Sequence, residues 1–235
     1  MIAGLQKMTL LDYPGRVACT VFLQGCSFRC PFCHNSGLLG IPEQPPIPQQ
    51  ELMTFLRKRQ GLLDGVCISG GEPTLHKALP ELLTQIKNLN YAIKLDTNGY
   101  CPDVLKMLVH NGLVDYVAMD IKNCPDRYGE TAGIPNLDIS KIEESMVFLM
   151  EGNLEYEFRT TVVQQFHSVR EIQAIGRWFQ ELSYHNKVKK YFLQPYTHRD
   201  SVLCSGLQKP EKADLQAFLT AITPFVQTAE IRGYE

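Results

Sequence analysis

A chain of 235 residues with 44% apolar residues can bury a substantial core and has the make-up of an ordinary globular protein. Its formal net charge of −2 excludes a dominant, nonspecific nucleic-acid binder. No apolar run approaches the ~18 residues of a membrane span, and Met1 to Lys7 holds no signal-peptide core, so the eight cysteines read as thiols or metal ligands of a reducing, cytoplasmic protein, not as a disulfide scaffold.

Short apolar runs alternate with helical stretches along the chain. Residues 17–23 read as a first strand that empties into a cysteine-rich loop. The Pro-rich stretch 41–48 is a crossing loop, too short for a domain linker. Residues 50–60 are helical, 66–69 a second strand, 79–89 a helix, 92–96 a third strand, 102–111 a helix and 116–122 a fourth strand. Ser140-Lys141-Ile142-Glu143 and Ser168-Val169-Arg170-Glu171 both fit a Ser-x-x-Glu capping box, so a helix is expected after each. Between those helices 156–163 is a strand; 188–193 is a sixth strand, 211–222 a last helix and 229–232 a short terminal strand. The aromatics of 156–158 and of Trp178-Phe179 read as packing residues. Strand–helix alternation predicts an α/β fold with a parallel sheet and right-handed crossovers. The whole chain, 1–235, reads as a single domain without internal repeats.

Cys26, Cys30 and Cys33 form a Cys-x3-Cys-x2-Cys pattern, with Phe32 just before the last cysteine. Three thiolates on one loop can ligate three irons of a [4Fe–4S] cluster and leave the fourth open. A tetrahedral zinc or an ordinary ferredoxin cluster wants a fourth ligand, and the next cysteine is the distant Cys67. Taken alone, the triplet also fits a partial zinc site or buried thiols. Strand two runs into Gly70-Gly71-Glu72-Pro73. Glycines allow close backbone approach, and carbonyls with a carboxylate accept an ammonium; taken alone, the four residues are also an ordinary turn. Asp96-Thr97-Asn98-Gly99 ends strand three and Asp120-Ile121-Lys122 ends strand four. Parallel α/β sheets collect ligands at these strand ends, which sets a ligand role for Asp96, Asn98 and Lys122 against turn, cap or surface roles.

The cysteine triplet and the Gly-Gly-Glu-Pro element, in this order, resemble the radical S-adenosylmethionine (SAM) family. Leu11-Asp12-Tyr13-Pro14-Gly15, Phe22-Leu23-Gln24-Gly25-Cys26, Cys33-His34-Asn35, Leu95-Asp96-Thr97-Asn98-Gly99, Met119-Asp120-Ile121-Lys122 and, more weakly, Leu193-Gln194-Pro195-Tyr196 resemble glycyl-radical-enzyme activases. The Asp-Tyr-Pro-Gly opening is most similar to the activating proteins of anaerobic ribonucleoside-triphosphate reductase, with pyruvate formate-lyase activases close behind.

The resemblance implies a partial (β/α)6 barrel of the radical SAM kind. It implies one [4Fe–4S] cluster on Cys26, Cys30 and Cys33, whose open iron is chelated by SAM. It places Phe32, Gly70, Gly71, Glu72, Asp96, Asn98, Asp120, Lys122, Arg159 and His198 around SAM. Glu72 and backbone carbonyls would take the SAM amino group, Arg159 its ribose or carboxylate, and Asp96, Thr97 and Asp120 a monovalent cation. Relatives carry a histidine directly after Pro-Tyr, where this chain has Thr197 and then His198. A flavodoxin or ferredoxin type donor would supply one electron, SAM would be cleaved to a 5′-deoxyadenosyl radical, and that radical would take a Cα hydrogen from a glycine of the partner enzyme. No side-chain general acid or base is required. The alternatives are a radical SAM enzyme acting on a small molecule or a peptide, and a noncatalytic or zinc-binding module. Cys19 and Cys67 read as core thiols, and the short 41–48 connector leaves no room for a ferredoxin-like insert.

Overall fold

The computed structural model describes residues 1–41, 44–183 and 186–233, so part of the 41–48 connector lies outside the described residues. Strands and helices alternate: β1 (Ile2–Thr9), β2 (Ala18–Leu23), α1 (Gln49–Lys58), β3 (Gly65–Gly70), α2 (Leu79–Lys87), β4 (Ala92–Thr97), α3 (Pro102–His110), β5 (Tyr116–Asp120), α4 (Pro125–Ala132), α5 (Ile139–Glu151), β6 (Glu155–Val162), α6 (Val169–Leu182), β7 (Val188–Pro195), α7 (Lys212–Ile222) and β8 (Val226–Ile231). The eight strands follow one another in sequence order in the sheet. β1 is additional to the strands expected from sequence. No described helix is long and apolar enough to cross a membrane.

The chain divides into two compact units whose segments interleave in sequence. The first comprises Met1–Ser27, Asn35–Thr97 and Cys101–Ala118; the second comprises Phe28–His34, Asn98–Tyr100 and Met119–Glu235.

In the first unit β1 runs antiparallel to β2, while β2, β3 and β4 are parallel. The central run Val66-Cys67-Ile68 is fully buried, as expected for a parallel strand covered on both faces. Leu52, Met53 and Leu56 of α1 and Leu79, Leu82, Leu83 and Ile86 of α2 are the buried faces of two amphipathic helices. Register aligns Ala18, Gly65 and Ala92 in one row and Thr20, Cys67 and Lys94 in the next. The Tyr13 ring lies over the lower row, and a Cβ on Gly65 would stand 2.9 Å from it. Tyr13 also packs on Tyr116 at 6.0 Å between centroids. Burial, with help from Asp115, pushes its phenol up to about 12. The Asp12-Tyr13-Pro14 segment therefore plugs the start of these strands.

In the second unit β6, β7 and β8 are parallel. Tyr156, Phe158, Phe179 and Tyr191 form a chain of rings 5.0, 5.6 and 5.5 Å apart, which gives these aromatics the packing role expected of them. α6 opens on the expected reciprocal capping box between Ser168 and Glu171. The box expected at Ser140 is not formed. Asp138 is the cap and accepts from the Ser140 amide at 3.2 Å, so α5 starts at Ile139. A carboxylate two residues upstream reaches the first free amides before Ser140 can.

Candidate functional site

In the first unit the glycine turn lies flat on the segment that leads to Cys26. The Gly71 amide donates to Leu23 O at 2.9 Å and the Glu72 amide to Gly25 O at 2.7 Å. A Cβ on Gly71 would stand 2.0 Å from Gly25 O and 3.3 Å from the Cys26 Cβ; one on Gly70, where φ is +120°, would stand 2.2 Å from Leu23 O. Only glycines let the two backbones approach this closely. Asn35 Nδ2 donates to Gly70 O at 2.9 Å, so the residue two places after Cys33 also grips the turn.

Glu72 is fully buried. Its Oε1 accepts from the Thr74 amide at 3.0 Å, the Thr74 hydroxyl at 2.5 Å and the Thr97 hydroxyl at 2.8 Å, which caps the 3-10 turn Pro73–Leu75. Asp96 ends β4 in an ion pair with Lys94. Neither Thr74 nor Lys94 was picked out from sequence; a lysine inside an apolar strand was the available signal for the second.

In the second unit Cys30 and Cys33 share a tight turn, with the Cys33 amide donating to Cys30 O at 3.0 Å. Three remote segments hold that turn. The Arg29 amide donates to Ala132 O at 2.9 Å, and the Cys204 amide donates to Pro31 O at 3.0 Å. Phe32 is buried against Phe166 at 6.0 Å, and the His34 ring lies 5.6 Å from Tyr196. Gly133, at φ +70°, closes α4 where a Cβ would stand 2.2 Å from Arg29 O.

Asp120 pairs with Arg159 at 2.9 Å and with Lys122 at 3.0 Å. Burial would raise its carboxyl, but Arg159 and then Lys122 outweigh burial and hold it at about 2. For the Lys122 ammonium burial works downward, and Asp120, followed by Cys30, raises its pKa well above the ordinary value. Asn98 Oδ1 accepts from the Tyr100 amide at 2.9 Å, the turn role. His198 is 62% exposed, with Nδ1 3.2 Å from the Tyr196 hydroxyl.

The carbonyl of Lys122 is fixed by His167. Nε2 donates to it at 2.9 Å, because Nδ1 accepts from the Val163 amide at 3.1 Å. Burial pushes the His167 pKa from 6.5 to about 4, against the nearby carbonyls of Lys122 and Val163, which favour the charged ring. A histidine whose folded pKa is depressed contributes stability that is complete above its unfolded pKa and is lost as pH falls towards the folded one. Stability of the metal-free protein should fall between pH 6.5 and 4 by about 1.4 kcal/mol per pH unit from this group. Denaturant midpoints of wild type and His167→Gln across that window check it, and parallel slopes for the two proteins would refute it.

All eight cysteines are thiols, and among the described residues no three His, Cys, Asp or Glu side chains are ready-gathered as a metal set. The fit to an iron–sulfur cluster therefore rests on the donors and their surroundings. Three thiols on one loop suit it. A glycine cradle that any Cβ would fill lies against Cys26. Gln24 Oε1 and His34 Nε2, just before and just after the triplet, are buried without a hydrogen-bond partner among the described residues. Such orphans mark ground that is completed by a group other than protein.

Comparison with known proteins agrees. The family model described as Radical SAM superfamily matches residues 20–178. A Methanocaldococcus jannaschii protein, provisionally named a glycyl-radical enzyme activating enzyme, is 31% identical over 185 residues, 75% of this chain and 74% of its own. The pyruvate formate-lyase-activating enzyme of Clostridium pasteurianum is 32% identical over 131 residues, 53% of each chain. Among solved structures, Streptococcus suis SuiB bound to precursor peptide SuiA superposes with a TM-score of 0.69 at 16% identity, over 91% of this chain and 48% of SuiB. That likeness shows the fold, an α/β fold of the radical SAM partial-barrel class.

Proposed function

The chain belongs to the radical SAM superfamily, and from that premise we propose that it is a glycyl-radical-enzyme activase whose partner is an anaerobic ribonucleoside-triphosphate reductase. The observation that carries the activase reading is the relative named as an activating enzyme, which matches three quarters of each chain; the reductase as partner rests on the Asp12-Tyr13-Pro14-Gly15 opening.

Cys26, Cys30 and Cys33 would hold one [4Fe–4S] cluster, and Gly70, Gly71 and Glu72 the methionyl end of SAM, with Asp96 and Lys122 in support and Asn98, Phe32, Arg159 and His198 nearby. Together the bound cluster and SAM supply one-electron cleavage of SAM and removal of a hydrogen atom from a glycine of the partner. The chain's own part is to place and hold. The glycine turn binds Glu72 to the Gly25 carbonyl just before Cys26, and Thr74 and Thr97 fix the Glu72 carboxylate. Asp120 holds Lys122 and Arg159 in place. A monovalent cation near Asp96, Thr97 and Asp120 would compete with the ammonium of Lys94 and with Lys122 and Arg159 for the two carboxylates. The interleaving of the two units in sequence supports treating 1–235 as one functional domain. A flavodoxin or ferredoxin type donor and a reducing cytoplasm complete the reading.

The test is to mix the reduced, anaerobically reconstituted protein with SAM and either anaerobic ribonucleoside-triphosphate reductase or pyruvate formate-lyase, then record the EPR spectrum. A glycyl doublet with matching 5′-deoxyadenosine is expected. Absence of the doublet with every glycyl radical enzyme of the host, while a peptide or metabolite drives SAM turnover, overturns the reading. It would favour the alternative class.

A further inference from the structure

We infer that Lys94 is a positioning residue for Asp96, and through it for SAM; this rests on the SAM contact proposed above for Asp96. Residues 94 and 96 lie on one face of β4, because side chains alternate along a strand. The Lys94 ammonium bonds Asp96 Oδ1. The two partners are unequal: the Lys94 side chain is 1% exposed, that of Asp96 17%. The lysine is thus sealed beneath the carboxylate, and the carboxylate retains an outward side.

Asp96 is the carboxylate that the ammonium pairs with; another carboxylate beside its row, Asp12, is taken up by Thr20. Register puts Lys94 level with Cys67 and Thr20. Cys67 stays a neutral thiol, since burial raises its pKa far more than Lys94 lowers it. Thr20 spends its hydroxyl proton on Asp12 Oδ2 at 2.5 Å. A buried ammonium with one carboxylate is a poor way to gain stability, because apolar residues of similar volume do as well or better. What the pair does achieve is directional. A carboxylate at a strand end is held in one orientation by a donor that solvent cannot reach, as a preorganised ligand contact requires.

The test compares wild type, Lys94→Met, Asp96→Asn and the double variant, each reconstituted anaerobically. SAM affinity, iron content and melting temperature are measured on every sample. Lys94→Met should keep its iron and stay folded, melting below wild type because the Asp96 carboxylate loses a partner, and bind SAM about tenfold more weakly; the double variant should regain melting temperature and bind no worse than Asp96→Asn, as expected when two residues act as one unit. If Asp96→Asn weakens binding while Lys94→Met does not, the inference fails and the SAM site stands. If Asp96→Asn leaves affinity unchanged, the SAM-site reading itself fails, and this inference with it. Should the Met variant not accumulate, Lys94→Gln is judged by the same affinity criterion.

Discussion

Cys30→Ala is expected to give a folded protein that retains no [4Fe–4S] cluster. The thiol is buried, and it makes a weak hydrogen bond to Ala132 O at 3.8 Å. The turn around it is held by backbone bonds from Arg29 and Cys204 and by Phe32 against Phe166, none of which involves the sulfur. Removing the sulfur should therefore cost about 1 kcal/mol of stability, the typical penalty of a point substitution. The cluster, by contrast, would lose one of three thiolates and no neighbouring cysteine in the turn can replace it. Iron and sulfide analysis after anaerobic reconstitution, with circular dichroism on the same sample, checks this. Wild type should hold about four irons per chain and the variant well under one. A full cluster in the variant, or two clusters in wild type, would show that the ligand set is misassigned.

Gly71→Ala should damage fold and SAM binding together. Its Cβ would sit 2.0 Å from Gly25 O and 2.6 Å from the Gly25 carbonyl carbon, and backbone cannot swing aside as a side chain can. The strands must separate, which breaks the Gly71–Leu23 and Glu72–Gly25 hydrogen bonds and moves both Cys26 and Glu72. Overpacking of this kind costs about 1–3 kcal/mol, with each broken backbone bond adding to it. Gly37→Ala is the control, because a Cβ there meets nothing within 4 Å. A lowered melting temperature and at least about a tenfold loss of SAM affinity are expected for Gly71→Ala alone, since each tenfold is only about 1.4 kcal/mol. A variant that melts lower but binds SAM as wild type does would detach the turn from the cofactor.

Much of this was legible because parallel strands announce themselves. Val66-Cys67-Ile68 and Tyr116-Val117-Ala118-Met119 are apolar runs, and polar residues proposed for the site follow each. β1 was not legible: Ile2–Thr9 contains Gln6 and Lys7, is partly exposed, and pairs antiparallel with β2 while meeting Ile47 at Ile2, so it lacks the buried run of its neighbours. α4 had its signals, with Pro125 at the first position and Gly133 past the end, but too few apolar residues to show a period. Side-chain direction was the other blind spot. Spacing places Glu72 after β3 but does not say that Thr74 and Thr97 both donate to it. It places Asn98 at a strand end without showing that Tyr100 takes its oxygen. Lys94 and Asp96 form an i, i+2 pair that reads as two separate charges until the strand face is known.

The anchoring of the cysteine turn has a consequence for the order of events at the ribosome. Cys30 and Cys33 emerge early, but the residues that hold their turn are Ala132, Phe166, Tyr196 and Cys204. At about 5–20 residues per second, the turn waits some ten seconds or longer for its last anchors. A nascent chain halted anywhere in its first half presents these thiols on an untethered loop. If the three thiols take the proposed cluster, metal that arrives before residue 204 has emerged meets an untethered loop, and metal that arrives later meets the closed turn.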